Sequence, residues 1–274
     1  VVTSTGTAAG GGDEPIVTNG AMEALNLCLQ AITRPGDLVV VESPTFYAAL
    51  QVLDRLGLRA LEVRTDPAQG VDLQALEALL DTHPVAACWC MTSFQNPLGA
   101  SMPEARKRAL VDLLARRGVP LIEDDVYAEL YGGHLRPRPA KAFDAEGWVL
   151  HCGSFSKSLA PGYRVGWAAA GRFSPQVLRL KTMSSLATSL PPQLALAEYL
   201  SQGGFDRRLL GLRQALAARC EQAQRFLFEI GLFHQPVREP PQQIEMRAAT
   251  FVAARPQPDM IGQQKRDAAF VLTL

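Results

Sequence analysis

The chain has 274 residues, 47% hydrophobic and 20% charged, an ordinary globular balance with room for one large domain and a smaller appendage. Lysine plus arginine equals aspartate plus glutamate at 27 each, so no global field draws the chain to nucleic acid or to an acidic membrane. No apolar run approaches a membrane span and the N-terminus carries no signal-peptide pattern, which leaves a cytoplasmic protein as the expectation.

Residues 1–14 are rich in Thr, Gly and Ala without periodicity, and read as a flexible lead-in. From Pro15, Ile16-Val17 leads into Thr18-Asn19-Gly20-Ala21-Met22, where a glycine turn opens a helix running to about Ile32. Small residues at a helix start leave backbone N–H groups open to an anion. Leu38–Val41 is a continuous apolar strand of the buried type. Thr45 is the expected N-cap of a helix to about Leu56, and Phe46 and Tyr47 fall just past the strand end, where open α/β sheets place ligands.

Arg59–Val63 is a short strand, Asp72–Leu80 a helix and Val85–Thr92 a further apolar strand, ending in Ser93-Phe94-Gln95-Asn96-Pro97-Leu98-Gly99. Asn-Pro before a glycine is a turn, and its position after a strand aims the Asn96 amide at a ligand. Of the five cysteines (28, 88, 90, 152, 220), Cys88 and Cys90 flank a tryptophan in this apolar run and read as core thiols. With no Cys-x-x-Cys pair and no histidine at ligand spacing, no metal site is expected.

Pro103–Arg117 is a helix broken by Gly118, and Val119–Glu123 is a strand running into Asp124-Asp125-Val126-Tyr127. An aspartate at the end of a buried strand is costly unless it meets a cation or a donor, and a pyridinium N–H is such a partner. Arg136-Pro137-Arg138-Pro139 reads as a solvated loop, and none of the four histidines clusters as ligand or base. Strands at Trp148–Cys152 and Val165–Ala170 bracket Ser154-Phe155-Ser156-Lys157 and, further on, Pro161-Gly162-Tyr163-Arg164. Lys157 is an amine among hydroxyls, seven residues before the forked cation of Arg164. An amine for an aldehyde beside donors for a phosphate describes a pyridoxal-phosphate site.

Residues 175–232 read as helical, broken around Pro191-Pro192 and Gly203-Gly204, with the arginines of 207–225 on an exposed helix face. Residues 233–274, rich in Gln, Pro and Arg, lack the alternation of a sheet-bearing domain. The alternation before them predicts an α/β fold, a mostly parallel sheet flanked by helices, in one large domain over 15–232.

The string Ser-x-Ser-Lys-x-x-x-Pro-Gly-x-Arg-x-Gly-Trp at 154–167 resembles the large domain of fold-type I pyridoxal-phosphate enzymes, the aspartate-aminotransferase-like superfamily. Thr-Asn-Gly-Ala-Met-Glu-Ala-Leu, Ser-Phe-Gln-Asn-Pro-Leu-Gly and Ile-Glu-Asp-Asp-Val-Tyr-Ala-Glu-Leu-Tyr are similar to one branch of it, the MocR-type regulators of the GntR family. That resemblance implies pyridoxal 5'-phosphate as cofactor and Lys157 as its Schiff-base (internal aldimine) lysine. It also implies Asp124 as partner of the ring nitrogen, and Tyr127 and Asn96 as donors to the ring oxygen. Gly20, Ala21 and Met22 would hold the phosphate with Ser154, Ser156 and Arg164, while Phe46 would stack on the ring.

The same resemblance implies an effector domain that forms homodimers and senses an amino acid or a cofactor-derived effector, with DNA reached only through an N-terminal winged-helix domain missing from this chain. Two other readings stand beside it. One is a genuine class I/II aminotransferase acting on an α-amino acid; the other is a degenerate fragment with impaired cofactor binding, its small domain truncated or atypical.

Overall fold

The computed structural model describes residues 15–132 and 135–230. The lead-in (1–14), His134 and the tail expected to be atypical (233–274) lie outside the described residues. Eight strands form one sheet: β1 (Ile16–Thr18), β2 (Leu38–Ser43), β3 (Arg59–Asp66), β4 (Gly70–Val71), β5 (Val85–Cys90), β6 (Leu121–Asp124), β7 (Val149–Ser154) and β8 (Gly166–Ala169). Their order across the sheet is β1-β8-β7-β6-β5-β2-β3-β4. The central strands β3, β2, β5, β6 and β7 run parallel, β8 is antiparallel to both β7 and β1, and β4 turns back on β3.

The helices are α1 (Ala21–Ile32), α2 (Tyr47–Arg55), α3 (Leu73–Thr82), α4 (Glu104–Arg117), α5 (Ser174–Ser185), α6 (Leu190–Ser201) and α7 (Gly204–Glu229). Parallel strands read as unbroken apolar runs because helices cover both faces of the sheet. Alternate residues of those runs go to opposite layers. Val39, Val41, Trp89, Ile122, Leu150 and Cys152 join Leu25, Cys28 and Leu29 of α1 and Val177 of α5. Val40, Cys88, Cys90, Leu121 and Val149 join Leu76 of α3 and Leu110 and Leu114 of α4.

The local chemistry sets the element ends. Asp72 caps α3 by accepting the N–H groups of Gln74 (3.0 Å) and Ala75 (3.1 Å). Gly118 closes α4 in the left-handed conformation at φ 66°. Thr45 does not cap α2: Phe46 holds the N-cap position without a side-chain bond. Pro191 and Pro192 do not break the helical stretch either. They lie in the first turn of α6, where the missing N–H is harmless, and the break falls at residues 186–189. No helix among the described residues is long and apolar enough to cross a membrane.

After β2 the chain moves outward to β3, and after β5 it moves the other way to β6, so the crossover direction reverses between β2 and β5. Ligand crevices in open α/β sheets lie beyond the carboxyl ends of strands at such a reversal.

Candidate functional site

The parallel arrangement sends the residues after β2, β5, β6 and β7 to one edge of the sheet. The antiparallel β8 starts at that edge, where Gly166 pairs with both Thr18 and Ser154, and so brings the start of α1 and Arg164 to the same place. Phe46, Asn96, Asp124, Tyr127, Ser154, Ser156, Lys157, Arg164 and Gly20–Met22 therefore share one rim, although they come from distant parts of the chain.

At the start of α1, Gly20 has φ 84° and ψ 172°, a conformation that only glycine adopts readily. Arg164 lies against it: Nη2 donates to the Asn19 carbonyl at 2.9 Å, and Nη1 reaches Ser156 Oγ at 3.5 Å and the Pro161 carbonyl at 3.4 Å. The Ser156 N–H is 3.3 Å from Ser154 Oγ. A Cβ added to Gly20 would fall 2.5 Å from Arg164 Nη2, and one on Gly166 would meet the Ala21 nitrogen at 2.8 Å. These two glycines let a guanidinium, two serine hydroxyls and a helix N-terminus converge. Such a cradle suits a phosphate.

Asp124 ends β6, is 2% exposed, and its Oδ1 has no hydrogen-bond partner among the described residues. Burial first, and then the charge of Asp125, pushes its pKa up to about 7, against the pull of the Val126 N–H and His151. Tyr127 follows three residues later, with the exposed Lys157 Nζ 5.7 Å from its ring centre. Tyr127 and Asn96 line one cavity of about 400 Å³ together with Phe94, Tyr131, Arg213 and Leu216. Phe46 stands at the α2 N-terminus, half-buried, with its ring edge-on to Tyr47 at 5.2 Å.

The rim holds more buried carboxylates than the sequence reading named. Glu42, at the end of β2, accepts the Met91 N–H at 2.9 Å, and burial drives its pKa up to about 8. Glu123 accepts the N–H groups of Ala140 (2.6 Å) and Lys141 (2.9 Å) and the Thr92 hydroxyl. Asp125 Oδ2 faces His151 Nε2 at 3.0 Å and Arg136 at 3.5 Å. Arg136 also donates to Glu129 at 2.8 Å, so the Arg-Pro loop is pinned at this residue rather than solvated. On α7, Arg213 donates to the Glu129 carbonyl at 2.8 Å and stacks over Tyr131 at 3.7 Å, so the arginines of that helix are not all on an exposed face. An aspartate at the end of a buried strand was the sequence signal for a cation or donor nearby; nothing local identified His151 or Arg136, which meet Asp125, or Arg213, which meets Glu129.

The chain is similar to known proteins along most of its length. Residues 6–237 match the family model described as aminotransferase class I and II. The uncharacterized HTH-type transcriptional regulator YdcR of Escherichia coli is 56% identical over 211 residues, covering 77% of this chain and 45% of the regulator. Aromatic-amino-acid aminotransferase 1 of Thermococcus litoralis is 33% identical over 200 residues, 71% of this chain and 48% of that enzyme. Among solved structures, LysN, the alpha-aminoadipate aminotransferase of Thermus thermophilus complexed with N-(5'-phosphopyridoxyl)-L-leucine, aligns at a TM-score of 0.74 and 31% identity. That alignment covers 81% of this chain and 57% of LysN. The chain spans less than half the length of the two curated relatives. The strand order, the single rim that gathers lysine, aspartate and anion cradle, and a family match that runs through every described strand agree: the chain belongs to the aminotransferase class I and II family.

Proposed function

We propose that residues 15–232 form a pyridoxal-phosphate-binding, aminotransferase-like effector domain of a MocR-type transcriptional regulator, cytoplasmic and homodimeric, with DNA contacted by a winged-helix segment outside this chain. The observation that carries the cofactor reading is the unpartnered Asp124 Oδ1, buried at the strand end beside the Lys157 loop. A buried acceptor without a donor costs roughly 1–3 kcal/mol, and a ring N–H placed there removes that cost.

When bound, pyridoxal phosphate supplies an aldehyde and a ring that draws electrons once its nitrogen is protonated. Arg164, Ser154, Ser156 and the backbone N–H groups of Gly20, Ala21 and Met22 would hold its phosphate. Asp124 would accept the ring N–H, Asn96 and Tyr127 would donate to the ring oxygen, and Phe46 would cover one ring face. Lys157 would supply the amine that condenses with the aldehyde, water leaving, and its freed amine would move a proton at the α-carbon of an amino-acid ligand.

The regulatory half is supported by the higher identity to an HTH-type regulator, 56% against 33% for an aminotransferase. The same cofactor residues serve a genuine aminotransferase, and that second reading is supported by the likeness to LysN.

The deciding experiment is reconstitution with pyridoxal phosphate, borohydride reduction and peptide mass mapping. Cofactor trapped on Lys157 and lost in Lys157→Ala is the expected result, and a folded protein without adduct ends the cofactor reading. Amino acids that change the bound cofactor's absorbance without releasing product point to a sensor, whereas sustained transfer to a keto acid makes the protein an enzyme.

A further inference from the structure

His151 on β7 is 1% exposed, and its Nε2 lies 3.0 Å from Asp125 Oδ2. Asp125 follows Asp124 directly and is itself 5% exposed. Strand β7 pins both: Asp124 pairs in register with Cys152, and the Asp125 N–H donates to the Cys152 carbonyl at 2.9 Å. Asp125 thus links a buried imidazole to the carboxylate whose Oδ1 is unpartnered.

The other charges packed around this pair have work elsewhere. Lys107 of α4 spends its ammonium on Ser93 Oγ (2.6 Å) and the Arg138 carbonyl (2.8 Å). Arg136 lies 3.5 Å from Asp125 but makes its shorter bond, 2.8 Å, to Glu129. Glu123, the neighbour on β6, is met by neutral donors, and Glu42 on β2 adds a second carboxyl facing Asp124. The Cys28 and Cys152 thiols, 3.7 Å apart, close the α1 side. His151 is the titratable group given over to Asp125.

We propose that His151 is a positioning residue for the cofactor's ring nitrogen: through Asp125 it supplies the buried positive charge that keeps Asp124 an ionised acceptor. Two carboxylates one residue apart in a buried site disfavour each other's charge, and a cation on the outer one relieves the inner one. Burial alone would lower the His151 pKa, but the hydrogen bond and charge of Asp125, with Glu123, outweigh burial and the opposing charge of Arg136; the net direction is up. His151 also acts on Asp124 in the lowering direction. This inference rests on the pyridoxal-phosphate reading above.

The test is the cofactor dissociation constant of wild type and His151→Gln across about pH 6 to 9, followed by absorbance. Glutamine keeps an N–H toward Asp125 but carries no charge. Apoprotein melting checks the fold, and imidazole ¹⁵N shifts in wild type and Asp125→Asn follow the histidine's own ionisation without cofactor. Binding weaker by about tenfold at pH 6.5 is expected in His151→Gln, the effect of moving the Asp124 pKa by about one, with the two proteins converging near pH 9. The Asp125→Asn protein is expected to show a lower His151 pKa than wild type. A deficit constant with pH would mean that His151 only ties strands together, and equal binding throughout would remove any role; either overturns the proposal. A wild type that binds no cofactor at any pH overturns the cofactor reading itself, a failure recognised because it precedes any comparison with the variant.

Discussion

Gly20→Ala tests the anion cradle where backbone and side chain meet. The native φ of 84° and ψ of 172° lie in a region essentially reserved for glycine, so alanine costs roughly 1–3 kcal/mol there. The new Cβ also falls 2.5 Å from Arg164 Nη2 and 2.9 Å from Arg164 Cζ. The exposed guanidinium must swing away and give up its bond to the Asn19 carbonyl, worth about 1 kcal/mol after solvent screening. The sum, about 2–4 kcal/mol, lowers the melting temperature by about 5–12 °C in a domain of this size.

Gly36→Ala is the control. Its φ is 94° but nothing lies within 4 Å of an added Cβ, so it carries the backbone strain, about 1–2 kcal/mol, without the collision. Thermal melts with and without pyridoxal phosphate separate the two effects. Gly36→Ala keeps the cofactor-induced rise in melting temperature, and Gly20→Ala loses most of it. If Gly20→Ala melts like wild type, or gains as much from cofactor as Gly36→Ala, the cradle does not depend on that glycine and the reasoning fails.

Two further outcomes follow from buried charges. Glu42 has a folded pKa of about 8, above its unfolded value, so the fold holds its proton more tightly than the unfolded chain does. Its contribution is complete below about pH 4 and is lost as pH rises toward 8, on the order of 5 kcal/mol in all. Glu42→Gln, which still accepts the Met91 N–H, should flatten the decline of apoprotein stability measured by denaturant titration between pH 5 and 8; an unchanged slope would show that other groups cause it. Lys181, 4% exposed at its side chain, donates to Glu23 Oε2 at 2.8 Å and to Ser185 Oγ at 2.7 Å, tying α5 to α1. Lys181→Met should cost about 2–3 kcal/mol in urea unfolding, less than a fully buried pair because Glu23 is 19% exposed, and Glu23→Gln added to it should recover part of the loss. A double mutant as unstable as the single one would contradict the pairing.

Much of the fold was legible because its signals are local. Leu38–Val41 and the apolar run from Val85 reveal buried parallel strands by composition alone, and the glycine at 118 marks the end of α4. The reading faltered where pairing is distant or minimal. The two-residue strand Gly70–Val71 exists through its bridge to Thr65 and Asp66, with no periodicity of its own. Pro191 and Pro192 looked like breakers because the same residue that stops a helix inside it is tolerated at its start.

The candidate site divides the same way. Lys157, Asp124 and Arg164 stand in strings that carry their own chemistry. His151 meets Asp125 only through the parallel register of β6 and β7, and Arg213 meets Tyr131 only because α7 returns to the loop after β6. Neither contact leaves a mark in sequence spacing.

The edge strand β1 has a consequence for the order of events during synthesis. Its partner is β8, with Ile16 opposite Ala168, so the earliest strand of the described sheet waits for the last one in chain order. Local helices and the β2–β3 pair form without it, but this contact of high sequence separation closes late. The anion cradle hangs on that closure, since only Asn19 separates Gly20 from the end of β1 and only Val165 separates Arg164 from the start of β8. A nascent chain therefore lacks the joined Gly20–Arg164 cradle until about residue 170 has emerged. A ligand held in that cradle would act on the last step of assembly, rewarding a finished sheet and no shorter intermediate.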